Sequence, residues 1–246
     1  MRWIATGITD RGLRREANED AYRIREDAGL FLVADGMGGH AAGEVASTMA
    51  AAIVESETVR ALEAGTDARP CEILRDAVEQ AHRAILDHAA RDPATTGMGT
   101  TLTATLLRAA QRTIHIAHVG DSRAYRLRDH DLARLTTDHT WVQQQVDDGR
   151  LTEAEARAHP LSSVLTRAVG GPIDALDVDL VDTDLADEDL LLLCTDGLSG
   201  TVDDADLRAI LDRPLPLETL AAQLVEAANL RGGPDNITAV LIRVTA

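Results

Sequence analysis

Four aspartates stand where apolar runs meet turns: Asp35 in LFLVADG, Asp121 in IHIAHVGDS, Asp196 in LLLLCTDG, and Asp235 in RGGPDN just ahead of the last apolar run. Glycine next to Asp35, Asp121 and Asp196 lets the chain turn tightly and bring a backbone carbonyl close to a ligand. Asn18-Glu19-Asp20, near the start of the second apolar run, adds two more carboxylates. One strand-end aspartate is an ordinary turn former. Several brought together repel one another and need cations, and an all-oxygen donor set suits Mg²⁺ or Mn²⁺. The chemistry expected is that of a paired divalent-metal site.

Other patterns in the chain carry less. Gly36-Met37-Gly38-Gly39-His40-Ala41 follows an apolar run and imitates the G-x-G-x-x-A turn of a dinucleotide site. A carboxylate directly before the first glycine would oppose a pyrophosphate, so Asp35 is assigned to a metal. Ser122, in GDSRA, has no G-x-S-x-G elbow, and the C-terminal strand lacks an aspartate followed three residues later by histidine, so it is not read as a nucleophile. His115 and His118 are an odd step apart in a strand, so their rings face opposite ways. The run DVDLVDTDLADEDL lacks the glycine and glutamate of a calcium loop and reads as a solvated strand and turn.

The elements that must position the aspartates are short apolar runs bounded by Gly, Asp or Asn, which read as strands. Two long helical patterns follow the third run. Gly43 to Glu63 is rich in Ala, with Val45, Met49, Ala52, Ile53 and Val59 roughly on one face; Cys71 to Ala90 carries Ile73, Leu74, Ala77, Val78, Ala81 and Ile85. Two more helices are expected around Asp204 to Leu230, before a final strand. Helices arriving in consecutive pairs argue against a parallel βαβ sheet and for antiparallel sheets with helices packed outside.

The chain is long enough for one large core, and 45% hydrophobic content supports a folded globule. Its 24 basic and 41 acidic residues give a formal charge of −17, which repels nucleic acid and anionic lipid. No apolar run of membrane-spanning length is present, nor an apolar block near the N-terminus, so a soluble, cytoplasmic protein is expected. Cys71 and Cys194 lack metal-ligand spacing, and Cys194 reads as a small buried apolar side chain.

The motifs RREANEDAY, VADGMGGHAAGEVAS, GMGTTL, HVGDSRAYRL, LTTDHTWVQQQVDDGRLTEAEARAHP, SSVLTRAVG, LLCTDGLSG and GGPDNIT occur in this order along nearly the whole chain. In this the chain resembles the metal-dependent protein phosphatases of the 2C type, specifically the compact bacterial serine/threonine phosphatases. The resemblance implies an α+β fold, a four-layer αββα sandwich of two antiparallel sheets flanked by helix pairs. It implies a single catalytic domain over residues 1–246, with residues 138–170 as a flap beside the metals. Asp35 resembles the carboxylate bridging two metals, with the Gly36 carbonyl as a further ligand; Asp196 and Asp235 resemble ligands of the first metal. Asp121 resembles a ligand of a third, weaker ion shared with Asp196, with flap residue Ser163, or else Ser162, completing it. Glu19 and Asp20 resemble partners of water around the metals, and Asn236 a supporting residue. Arg15, five residues before Asp20, matches the phosphate-binding arginine, whereas Arg14 is read as surface charge.

The implied function is hydrolysis of phosphoserine and phosphothreonine in proteins by a water activated by Mn²⁺ or Mg²⁺, in a monomer opposing a serine/threonine kinase. Met37 stands where animal relatives place a histidine assigned as general acid, so proton delivery is left to water or another group. His40 is read as a turn residue. A catalytically inactive module that binds phosphorylated proteins is expected to have lost metal aspartates, and none is lost here. A small-molecule phosphoesterase would share the same phosphate and metal motifs.

Overall fold

A computed structural model describes residues 1–38, 41–65, 68–172 and 176–246. Three strands open the chain, β1 (Arg2–Asp10), β2 (Asp20–Arg25) and β3 (Leu30–Met37), followed by helices α1 (Ala41–Glu63) and α2 (Pro70–Arg91). Five strands come next: β4 (Gly99–Thr100), β5 (Leu102–Arg108), β6 (Thr113–Val119), β7 (Arg123–Arg128) and β8 (Asp131–Arg134). Two short helices, α3 (Trp141–Asp147) and α4 (Glu153–Arg157), precede β9 (Val169–Gly170), β10 (Asp179–Asp184) and β11 (Leu190–Cys194). The chain closes with α5 (Asp196–Ser199), α6 (Asp204–Leu211), α7 (Leu217–Leu230) and β12 (Ile237–Thr245).

One sheet runs β1-β12-β11-β7-β8 and the other β10-β6-β5-β3-β4-β9, with β2 also paired to β3. Every pairing of these strands is antiparallel. Antiparallel sheets usually wet one face, yet the central strands here read as unbroken apolar runs because both faces are covered. On β3, Leu30, Leu32 and Ala34 join the cluster under α1 and α2, while Phe31 and Val33 point into the layer between the sheets. On β12, Ile237, Ala239 and Leu241 face the cluster under α7, while Val240, Ile242 and Val244 meet the other sheet. Two helix-on-sheet layers around one sheet-on-sheet layer make the expected αββα sandwich.

The face expected for α1 is corrected. Its innermost residues are Ala46, Ala50, Ala51 and Val54; Val45, Met49 and Ile53 are only partly buried, and Ala52 is exposed. Alanine lets the helix axis approach β3 closely, and the bulkier side chains fill its flanks. On α2, by contrast, Ile73, Leu74, Ala77, Val78, Ala81 and Ile85 are all buried as the periodicity predicts. Cys71 and Cys194 are free and buried, and burial pushes the Cys194 thiol up to about 12.

The 138–170 segment leaves the first sheet after β8 and rejoins the second through β9, which pairs with β4. Its two helices are too short to persist on propensity alone and are held by caps. Thr140 Oγ1 accepts from Gln143 N, and Thr152 and Glu155 bond each other's backbone amides reciprocally.

Candidate active site

The ends of β3, β6 and β11 and the start of β12 bring the strand-end aspartates to one side of the sandwich. Asp35 lies opposite Asp20 in the β2–β3 register. Its backbone is fixed from both sides: its N–H donates to Thr101 Oγ1 at 3.0 Å, and its carbonyl accepts from Thr101 N at 2.9 Å and from Thr100 Oγ1 at 2.8 Å. Gly36 packs so closely on Gly43 that a Cβ would collide with the Gly43 carbonyl. The glycine here serves a close backbone approach that brings the start of α1 to the site.

Asp196 opens α5 directly after Thr195, and that threonine works for the site. Thr195 Oγ1 and Thr238 Oγ1 both donate to Asp20 Oδ2, at 2.8 and 2.7 Å. Asp235 accepts from Asn236 N at 2.8 Å and from Arg15 Nη2 at 2.6 Å. Asn236 also stitches residues 11–19 to β12: its amide nitrogen donates to the carbonyls of Arg11 and Ala17, and its oxygen accepts from Glu19 N. The Glu19 carboxylate lies against Gly43 at the start of α1.

These carboxyls are electrostatically uncomfortable. Burial, then the charges of Asp20, Asp196, Asp121 and Asp235, hold Asp35 well above the usual carboxylate range. Burial, then Asp196 and Asp138, do the same to Asp121, which is 8% exposed. Asp196 is raised by burial and by Asp235, with relief from a hydrogen bond to Asp35. Burial pushes Asp20 up to about 7 despite the two threonine bonds. Asp20 Oδ1 and Asp196 Oδ1 are buried with no hydrogen-bond partner. An orphaned carboxylate oxygen is costly, and hard cations with their bound waters would satisfy both atoms while removing the repulsion. The residues present therefore fit Mn²⁺ or Mg²⁺.

Among the described residues, no three His, Cys, Asp or Glu side chains form a closed metal cage. The carboxylates instead line the wall of an open cleft of about 750 Å³. Mg²⁺ commonly binds through few protein carboxylates and keeps several waters. Asp35, Gly36, Asp121, Asp196 and Asp235 all line this cleft, together with Glu19. Asp20 sits behind them.

A second cleft of about 620 Å³ lies under the 138–170 segment and shares Asp121, Ser163 and Asp196 with the first. Ser162 borders only the second cleft, so of the two flap serines it is Ser163 that shares both walls with the aspartates. Arg14 and Arg15 both line the first cleft. Both are exposed, as the reading of Arg14 as surface charge expects. Met37 lines the same cleft, whereas His40 lies outside the described residues.

Ser122 is fully buried, with its hydroxyl 2.7 Å from Thr101 Oγ1, a structural link and no nucleophile. His115 turns to Asp182 and His118 to the Thr137 carbonyl, so they form no metal pair. Sequence reasoning assigned no roles to Thr100, Thr101, Thr195 and Thr238. The adjacent threonines of GMGTTL were the available signal for the first two.

An antiparallel αββα sandwich with a carboxylate-lined cleft at the strand ends defines the class of metal-dependent phosphatases. The chain belongs to the protein phosphatase 2C family, whose profile matches residues 13–232. It is 41% identical over 240 residues to the serine/threonine protein phosphatase PstP of Mycobacterium tuberculosis, covering 96% of this chain and 44% of that one. It is 37% identical over 238 residues to the serine/threonine phosphatase stp of Listeria monocytogenes, covering 95% and 93%. The chain thus spans less than half of the mycobacterial relative and nearly all of the listerial one. Among solved structures, the catalytic domain of PstP in complex with 2 manganese ions superposes with a TM-score of 0.86 at 36% identity, covering 99% of each chain.

Proposed function

We propose that this chain hydrolyses phosphoserine and phosphothreonine in proteins, as one catalytic domain with the 138–170 segment as its flap. The observation that carries the reading is the set of mutually raised carboxyls at a solvent-open cleft, two of them with orphaned oxygens, with Arg15 at the mouth. The names of the PstP and stp relatives and the two manganese ions of the PstP catalytic domain support it.

In this reading Asp35, the Gly36 carbonyl, Asp196 and Asp235 would hold two core ions, with Asp35 as the shared carboxylate, and Asp121, with Asp196 and Ser163, would hold a third, weaker one. Mn²⁺ or Mg²⁺ bound there would supply an activated water as nucleophile and offset charge on the phosphoryl oxygens. Glu19 and Asp20 orient the surrounding water, and Asn236 keeps Glu19 and Asp235 in register.

Arg15 presents a planar guanidinium fork suited to a phosphoryl group, and its bond to Asp235 aims it into the cleft. With Asp235 engaged as a metal ligand, Arg15 would be free to meet the substrate's phosphoryl group. Met37 carries no titratable proton, so protonation of the leaving oxygen falls to water or another group. Products of a serine/threonine kinase are the natural substrates of such a site, met by a cytoplasmic monomer. No helix among the described residues is long and apolar enough to cross a membrane.

Hydrolysis of phosphopeptides and para-nitrophenyl phosphate, with Mn²⁺ and with chelator, tests the proposal. Turnover of both that chelation abolishes is the expected result. Binding of phosphopeptide without turnover would instead make the chain an inactive recognition module, and turnover of small esters alone would make it a small-molecule phosphoesterase.

A further inference from the structure

His139 lies outside every role assigned so far, yet it is buried at the crossing of three parts of the molecule. The first is the turn that presents Asp121. His139 N donates to the Gly120 carbonyl at 2.7 Å, and Gly120 N donates back to His139 Nδ1 at 3.1 Å. Both polar groups of one residue are therefore held by one histidine. Gly120 has φ +104, a conformation side chains rarely adopt, so the direction in which the chain enters Asp121 depends on this turn.

The second part is the neck of the 138–170 segment. Trp141 N donates to the Val164 carbonyl at 2.8 Å, Thr140 bridges Leu165, and Thr166 N donates to the His139 carbonyl at 2.8 Å. The outgoing and returning chains thus zip together at His139, and Ser163 follows directly on the far side of that zip. The third part is the edge strand β10. With Nδ1 accepting from Gly120, a neutral ring carries its proton on Nε2, which lies 3.1 Å from Asp179 Oδ2 and also 3.1 Å from Arg167 Nη1. Arg167 holds that carboxylate from its other oxygen at 2.6 Å. The His118 ring packs on His139 at 4.7 Å between centroids and closes the remaining side.

We propose that His139 is a positioning residue that locks the neck of the 138–170 segment to the Gly120 turn, and so holds Asp121 and Ser163 in a fixed relation across the junction of the two clefts. The consequence for metal binding rests on the reading of Asp121 and Ser163 as the third-ion site. The clamp itself rests on geometry alone. Without His139 the Gly120 amide loses its acceptor, the neck loses its anchor, and the two donors become free to separate.

The ring nitrogens can be tested apart. Asparagine places its side-chain oxygen where Nδ1 lies, and glutamine places its terminal amide nearer Nε2. His139→Asn should keep the Gly120 bond, whereas His139→Gln and His139→Ala should lose it. In metal-free protein, amide exchange at Gly120 should remain slow in the Asn variant and quicken in the other two. In calorimetric Mn²⁺ titrations the weakest binding event should fall about fivefold in Gln and Ala, the equivalent of one net hydrogen bond, with the tighter events unchanged.

Continued Gly120 protection in the Ala and Gln variants, or an Asn variant that behaves like Ala, would overturn the clamp. A uniform weakening of all Mn²⁺ events would reduce His139 to general stability. If Ala does not fold, the Asn-against-Gln comparison still decides. Should Asp121→Ala leave Mn²⁺ binding untouched, the third-ion reading fails, while Gly120 exchange continues to report on the clamp.

Discussion

Asp35→Asn separates what the carboxylate does for catalysis from what it costs the fold. The substitution is nearly isosteric, and the bonds from Thr100 and Thr101 to the Asp35 backbone survive it. An asparagine amide can also donate to Asp196, the neighbour whose charge bears on Asp35. What disappears is a negative charge beside Asp20, Asp196, Asp121 and Asp235. Two full charges about 5 Å apart at an effective dielectric constant of about 20 repel by roughly 3 kcal/mol. Shared protonation in the metal-free cluster lowers this, so the variant should be more stable than the parent in chelator by about 1–3 kcal/mol. The stabilisation that saturating Mn²⁺ confers, roughly 3 kcal/mol at 100-fold excess over Kd, should shrink sharply. Turnover should fall about 10³-fold or more, the loss of several kcal/mol of transition-state charge stabilisation. Urea midpoints in chelator and in Mn²⁺, read beside phosphopeptide turnover, report all three effects. Near-normal Mn²⁺-dependent hydrolysis would refute the bridging role, and a variant less stable than the parent in chelator would refute the repulsion argument.

Three other perturbations probe the site's edges. Arg15→Ala should lower kcat/KM for phosphopeptides while calorimetry still shows the paired ions, with Arg15→Lys restoring only part; damage from Arg14→Ala and none from Arg15→Ala would move phosphate binding to the neighbouring arginine. Asp121→Ala should slow phosphopeptide turnover and remove only the weakest Mn²⁺ event, and loss of the tight events would make Asp121 a core ligand. Burial and the adjacent His139 push His118 down to about 4 from an ordinary 6.5. The unfolded chain therefore takes up a proton that the folded one refuses, so stability present above pH ~6.5 is lost as pH falls toward ~4, by about 3 kcal/mol in all. His118→Gln should flatten that acid limb in urea titrations followed against pH, and an unchanged slope would refute the assignment.

The strand-end aspartates were legible because their signal is local: a run of Leu or Val, then Asp beside Gly, states both an element and its end within eight residues. The same holds for α2, whose periodic apolar face is buried as written. Paired helices between strands, read with the expected family fold, also pointed to the layered architecture. What linear order could not show is which side of each run meets which layer, since Phe31 and Leu32 are equally apolar and part only because two different layers approach β3. On α1 the periodicity favoured the larger side chains, whereas closeness to β3 selected the alanines. Arg14 and Arg15 are adjacent and alike; the resemblance singled out Arg15 by its spacing to Asp20, but its bond to a carboxylate 220 positions away, Asp235, is a feature of the fold alone. The hydroxyls of Thr195 and Thr238 that hold Asp20, and the imidazole that grips Gly120, are likewise defined by partners remote in sequence. Residue types and spacing determined the chemistry that converges here. Which groups hold it in place was decided by long-range packing, because a hydrogen bond depends on a partner's position and not on its place in the chain.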